Sequence, residues 1–131
     1  MAREHVRGTW EANRSFSPAV ITNGGRTVWL AGVGAWKDEQ GTVLRGDFAG
    51  QVNATFREIS ETLAQLGGKL SDIATMTVWV LDARHGDEFT ELRKAWFPDG
   101  RYPASALITA AGFARPEMMV EIQAVAVLGD S

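Results

Sequence analysis

The stretch DFAGQVNATFREISETLAQLGG, residues 47–68, decides the fold class because it is the clearest helix in the sequence. Its apolar residues recur every three or four positions and so form one stripe along a helix. The stripe consists of Phe48, Val52, Phe56, Ile59, Leu63 and Leu66. The glycine pair at 67–68 predicts the end of the helix, since glycine readily takes the left-handed conformation that closes many helices.

The remaining regular segments have the β-branched and aromatic composition of strands, apart from one shorter helix. Strands are predicted at residues 20–22, 27–32, 73–81, about 104–110 and 118–127, with the second helix at 87–97. The Asn23-Gly24-Gly25-Arg26 link predicts a hairpin between the first two strands. The order β-β-α-β-α-β-β predicts an α+β domain with a mixed sheet and two helices on one face.

Composition excludes several classes of function. The chain has 131 residues, of which 45% are hydrophobic, so it can bury a core as a single domain over residues 1–131. It has no cysteine, which excludes disulfides and thiolate chemistry. The net charge is −3 and the basic residues are scattered, which disfavours nucleic-acid binding. With no secretory signal and no membrane-spanning apolar run, we expect a cytoplasmic protein without nucleic-acid or membrane partners.

The predicted strands are apolar on both faces. Residues 28–31 form a continuous apolar run, and Trp79 lies between Val78 and Val80. Two helices can cover only one face, and large apolar patches are rarely left in water, so we expect a closed homo-oligomer. The alternative is a monomer whose second face is shielded by the loop at residues 35–46 and the N-terminal segment.

Five segments of the chain share a pattern with a known family. They are VWLAG at 28–32, QVNATF at 51–56 leading to LAQLGG at 63–68, MTVWV at 76–80, YPAS at 102–105 and VEIQAVAV at 120–127. In this order and spacing they resemble the RidA/YjgF family over about residues 18–127. The resemblance implies a chorismate-mutase-like fold and a homotrimer with three small-molecule clefts between subunits. It also implies hydrolysis of reactive imines and enamines to ketoacids and ammonia, with no metal and no organic cofactor.

The chain departs from the deaminase branch of that family at the substrate-binding residues. Ser105 stands where the branch has an arginine that holds the substrate carboxylate through two hydrogen bonds, and Leu107 stands where it commonly has cysteine. Ala31 replaces a serine, and Phe16 lies near the place of a tyrosine that has no counterpart in register. Glu121 matches the glutamate that helps position the attacking water.

Each candidate residue has a plain structural alternative. Glu121 is either a general acid/base in an apolar cleft or a glutamate bonded to backbone at a subunit interface. Ser105 is either a ligand contact or a small filler in a strand. The loop residues Arg115 and Arg101 either replace the missing cation or are solvated. His85 and its acidic neighbours resemble a metal cluster, but they are more typical of a helix start, where the dipole favours acidic residues.

Two functions therefore remain open from the sequence. One is a trimer that adds water to a small imine, enamine or related carbonyl metabolite, with Glu121 activating water and Ser105 contacting the ligand. The other is a non-catalytic trimer that binds a small metabolite, because the anchoring arginine is replaced by Ser105. A ribonuclease role, also attached to the family, is disfavoured by the acidic composition.

Overall fold

The computed structural model describes residues 3–129, and two helices and a mixed sheet make up most of this part of the chain. The predicted domain of residues 1–131 includes positions 1, 2, 130 and 131, which lie outside the described residues. The strands are β1 Glu4–His5, β2 Val20–Ile21, β3 Arg26–Trp29, β4 Ile73–Val80, β5 Ala104–Thr109 and β6 Val120–Leu128; the helices are α1 Phe48–Gln65 and α2 Gly86–Trp96. The predicted α+β fold class is confirmed.

The main sheet has the strand order β3-β6-β4-β5. β6 pairs antiparallel with both β3 and β4, whereas β5 runs parallel to β4. Such a parallel pair needs a long crossover, which α2 supplies between the two strands.

The predicted hairpin between β2 and β3 is wrong. β2 pairs with β1 in a separate two-stranded sheet, and β3 pairs with β6. The glycines of the link, Gly24 and Gly25, have φ angles of 66° and 82°, so they turn the chain from one sheet to the other. The N-terminal segment, whose composition gave no strand signal, supplies the partner of β2.

α1 begins and ends as its sequence predicts. The Asp47 side chain accepts a hydrogen bond from the Gly50 backbone N–H, which caps the first turn. At the other end Gly67 has a φ of 79°, and the Gly68 N–H donates to the Leu63 carbonyl. The predicted stripe is buried against the sheet except for its last member, Leu66, which is exposed.

One face of the main sheet is covered by the helices, and the other is exposed. Met76, Val78 and Val80 of β4 lie in the core with α1 and α2. On the other face Trp29 is 80% exposed and Ile108 is 46% exposed, so neither the N-terminal segment nor the loop at 35–46 covers them. We call this second surface the open face. Neither helix in the described part of the chain is long and apolar enough to cross a bilayer.

Candidate functional site

A bulge follows β3 and shapes one candidate region. Trp29 pairs with Val125, and after the interruption Val33 pairs with Ile122. One extra residue therefore lies on the β3 side, in the exposed stretch that contains Ala31. A bulge of this kind re-aims the chain and exposes its backbone groups beside the neighbouring strand.

Glu121 lies beside this bulge on the open face. It pairs with Trp79 of β4 and is half-buried. A Cβ added at Gly32 would lie 2.6 Å from Glu121 Oε2, so glycine is what leaves room for the carboxylate. Within residues 3–129 the carboxylate makes no hydrogen bond or ion pair. An unengaged carboxylate beside exposed backbone is suited to hold a water molecule and take its proton.

Ser105 and Leu107 lie on the opposite face from Glu121. In the parallel β4–β5 pair Ser105 is in register with Met76, and Leu107 with Val78. Those two partners point into the core under the helices. The sheet therefore separates Glu121 from Ser105 within one chain.

The guanidinium beside Ser105 belongs to Arg93 of α2, which the sequence analysis missed. Arg93 is only 3% exposed. Its Nη1 donates to Ser105 Oγ at 2.7 Å, its Nε to Ser15 Oγ at 3.0 Å and its Nη2 to the Arg14 carbonyl at 3.1 Å. All three acceptors are neutral, and no carboxylate in the described part of the chain pairs with Arg93. An arginine has five N–H donors, so two remain without a protein acceptor.

A sequence signal for Arg93 does exist. Phe89, Arg93 and Phe97 follow one another at intervals of four, which puts all three on one side of α2, and all three are buried. A charged residue in the middle of a helix's core stripe is rare unless it is paired or functional. The spacing alone therefore marks Arg93 as a candidate site residue.

Ser15 ties the N-terminal segment to Arg93. It follows the 3-10 helix Glu11–Arg14 with φ 60° and ψ 38°, and among residues 3–129 no other non-glycine residue has a positive φ. Its buried hydroxyl donates to the Thr90 carbonyl and accepts from Arg93. A left-handed conformation of this kind costs about 1–3 kcal/mol and persists only where its surroundings fix it.

Burial lowers the pKa of Arg93 from its usual range to about 10. The main cause is desolvation of the charged guanidinium; the positive charge of Arg14 lowers the pKa further, and Tyr102 opposes the change. Keeping Arg93 charged in the folded protein therefore costs about 3 kcal/mol, at about 1.4 kcal/mol for each pH unit. Arg14 is itself paired with Asp87 at 2.6 Å. A bound anion would relieve the cost at Arg93.

A cavity of about 210 Å³ opens beside this guanidinium. Arg93 and Ser105 line its polar side, and Trp10, Phe16 and Leu107 line its apolar side. The rings of Trp10 and Phe16 meet edge to face with centroids 5.5 Å apart. Three predicted ligand contacts, Phe16, Ser105 and Leu107, are thus brought together in one cavity.

The other predicted contacts lie elsewhere. Ala31 belongs to the bulge on the far side of the sheet. Arg115 stacks on Trp36, with Cζ 3.9 Å from the ring centroid, and its Nε lies 3.7 Å from Glu117 Oε1. Arg101 lines a separate cavity of about 440 Å³.

His85 lies at the start of α2. Its ring stacks on Phe48 with centroids 4.2 Å apart. Asp87 and Glu88 occupy the first helical turn, where the dipole favours negative charge. No group of three or more metal-ligating side chains occurs among residues 3–129.

Known proteins share both the sequence pattern and the fold. The family profile described as Endoribonuclease L-PSP matches residues 8–128. A RutC family protein of Pyrococcus abyssi is 22% identical over 102 residues, which cover 78% of this chain and 79% of that protein. The structure of YyfB, a Rid family protein of Yersinia pestis, superposes with a TM-score of 0.85 at 23% identity, covering 98% of this chain and 100% of that one.

A further solved structure has a higher sequence identity. Rv2704 of Mycobacterium tuberculosis, described as a member of the YjgF/YER057c/UK114 family, is 27% identical. It superposes with a TM-score of 0.68 and covers 97% of this chain and 100% of that one. The chain therefore belongs to the endoribonuclease L-PSP family, the Rid/YjgF family that its sequence resembles.

Proposed function

We propose that this protein is a homotrimer whose inter-subunit clefts hydrolyse small reactive imines or enamines. The observation that carries the proposal is the position of Glu121. Its carboxylate makes no contact with a charged or hydrogen-bonding group in residues 3–129, and it lies on the open face, where a second protomer would enclose it. Enclosure by apolar surface would exclude bulk water and leave the carboxylate to bind one water molecule.

The open face supports the oligomer. Trp29 and Ile108 are large apolar side chains left in water in the single chain, and they lie on the two outer strands of the sheet. Burial of this face against sister chains would remove both side chains from solvent. In a closed ring every protomer buries this face through the same repeated contact.

The separation of Glu121 from Ser105 supports clefts built by two protomers. One protomer contributes Glu121 and the bulge at Ala31 from its open face. The next contributes the edge strand β5, with Ser105 and Leu107. Neither protomer holds both halves of such a cleft alone.

In this arrangement the reaction is addition of water across a C=N bond. Glu121 takes a proton from water while the oxygen bonds to the imine carbon, and it passes that proton to the nitrogen as the C=N electron pair moves there, which gives a carbinolamine. Glu121 then takes the hydroxyl proton as the carbonyl forms and the C–N bond breaks, and it gives this proton to the departing amine, which leaves as ammonia. The products are a carbonyl compound and ammonia, with no redox step.

The test measures ammonia release from 2-imino acids generated in the assay by an amino acid oxidase, above the spontaneous rate. We expect the wild-type protein to accelerate release and Glu121→Gln to lose about 100-fold or more of that acceleration. The matched control is Glu58→Gln, which alters an exposed carboxylate on α1. No acceleration by a trimeric wild-type protein across a panel of such 2-imino acids would refute the catalytic proposal.

The alternative is a non-catalytic trimer that binds a small metabolite. The observation that favours it is that the cavity beside Ser105 is formed within one chain, away from Glu121. Such a cavity can bind a ligand without the water-activating group. This alternative predicts ligand-dependent thermal stabilisation without ammonia release.

A further inference from the structure

We propose that the cavity beside Arg93 binds the carboxylate of a small ligand with an aromatic or branched apolar body, and that Arg93 is its anchor. This inference deepens the proposed function, because it rests on the same cleft and names its ligand class. It concerns binding alone, so it can hold where no turnover is found.

The hydrogen-bonding groups around the cavity suit a carboxylate. Arg93 retains two N–H donors without a protein acceptor in residues 3–129. Ser105 Oγ accepts from Arg93, so its own proton is directed elsewhere, and the nearest protein acceptor, the Ala106 carbonyl, is 3.5 Å away. One carboxylate can therefore accept from Arg93 and from Ser105 together. Charge-assisted hydrogen bonds of this kind are stronger than those between neutral groups.

The surrounding charge favours a monoanion. Arg14 also lines the cavity, but Asp87 neutralises it in an ion pair. Arg93 is therefore the cation of this cavity that has no counter-ion among the described residues. A phosphate dianion would bring a second negative charge that no group in this cavity balances.

The walls of the cavity define the rest of the ligand. Trp10, Phe16 and Leu107 form its apolar side, and the volume of about 210 Å³ suits one small ring or branched chain. Trp10 is 57% exposed, so this aromatic side stands at the mouth and has area left to bury. An aromatic ring packs edge to face on such residues.

The test is isothermal titration of the full-length protein with benzoate, in a buffer free of other carboxylates and of phosphate. Benzamide is the neutral probe of the same shape, and inorganic phosphate is the dianion probe, titrated at about pH 8.5, where most of it carries two negative charges while Arg93 remains charged. We expect benzoate to bind at least about 30-fold more tightly than either, because only it pairs with Arg93 as a monoanion. Equal binding of benzamide or phosphate would overturn the assignment, as would no binding of benzoate.

Variants identify the anchor. Arg93→Ser should lose benzoate binding by at least about 30-fold, and Arg93→Ser combined with Ser105→Arg should restore most of it, because the guanidinium returns to the same cavity from β5. The matched control is Arg57→Met, which removes a surface arginine paired with Glu39. Unchanged binding in Arg93→Ser would overturn the proposal.

A second variant leaves Arg93 in place. Leu107 is 40% exposed at the cavity, so Leu107→Glu adds a built-in carboxylate at little packing cost. It should abolish benzoate binding and raise the melting temperature relative to Leu107→Gln. Benzoate binding that persists in Leu107→Glu at the affinity of Leu107→Gln would overturn the proposal. In the wild-type protein, ammonia release without benzoate binding would overturn this inference alone, and benzoate binding without ammonia release would overturn the proposed catalysis alone.

Discussion

Replacing Arg93 with methionine separates a binding role from a structural one. The substitution keeps a long unbranched side chain with a similar helix propensity while removing the charge. It removes the cost of about 3 kcal/mol that burial imposes on the guanidinium, as its pKa of about 10 indicates. It also removes three hydrogen bonds from a charged donor, each with a net contribution of about 1.5 kcal/mol.

The lost hydrogen bonds outweigh the relieved cost by about 1.5 kcal/mol, so we expect the free energy of unfolding to fall by less than about 2 kcal/mol. The control is Phe89→Ala, one turn earlier on α2, which truncates a side chain that is fully buried. That substitution should cost about 3–5 kcal/mol, because it removes apolar contacts and leaves a cavity. The measured quantity is the difference in the free energy of unfolding between the two variants.

The assay is chemical denaturation at one fixed protein concentration, because oligomerisation links stability to concentration. Benzoate should stabilise the wild-type protein and leave Arg93→Met unchanged. If Arg93→Met lost as much stability as Phe89→Ala, Arg93 would be a structural clamp between α2, β5 and the N-terminal segment, and the reasoning would be refuted.

Three further predictions follow from other parts of the structure. Gly32→Ala should lower the rate of ammonia release at least about 10-fold, because its Cβ would displace the Glu121 carboxylate. Steady-state rates measure this effect, and the control is Gly112→Ala, whose Cβ meets nothing within 4 Å. Carboxylate affinity should stay constant from about pH 6 to 9 and fall as pH rises through about 10, because the lowered pKa makes Arg93 neutral above that value. Titration with benzoate at stepped pH measures this affinity, and a constant affinity to about pH 11.5 would contradict the prediction. Trp29→Glu should dissociate the oligomer in analytical ultracentrifugation, whereas Val43→Glu, on an exposed loop, should not; an intact oligomer in Trp29→Glu would argue against burial of the open face.

The parts of the fold that local pattern determines could be predicted from the sequence. The bounds of α1 follow from its apolar spacing, its capping Asp47 and the glycines that end it. The pairing of β1 with β2 could not be predicted, because two strands of two residues each have no periodicity to detect. Their pairing depends on contacts between distant parts of the chain.

The candidate site was only partly accessible from the sequence. Phe16, Ser105 and Leu107 were identified and share a cavity. The separation of Glu121 from Ser105 requires the order of the strands, which the hydrophobic pattern does not give. Arg93 was not among the predicted site residues, although its spacing from Phe89 puts it on the core stripe of α2.

The most direct test of the account is a crystal structure of the protein with benzoate. The account predicts one carboxylate oxygen within hydrogen-bond distance of the Arg93 guanidinium, the other near Ser105 Oγ, and the ring against Trp10 and Phe16. A carboxylate of a neighbouring protomer already paired with Arg93, or benzoate bound at another place, would contradict it.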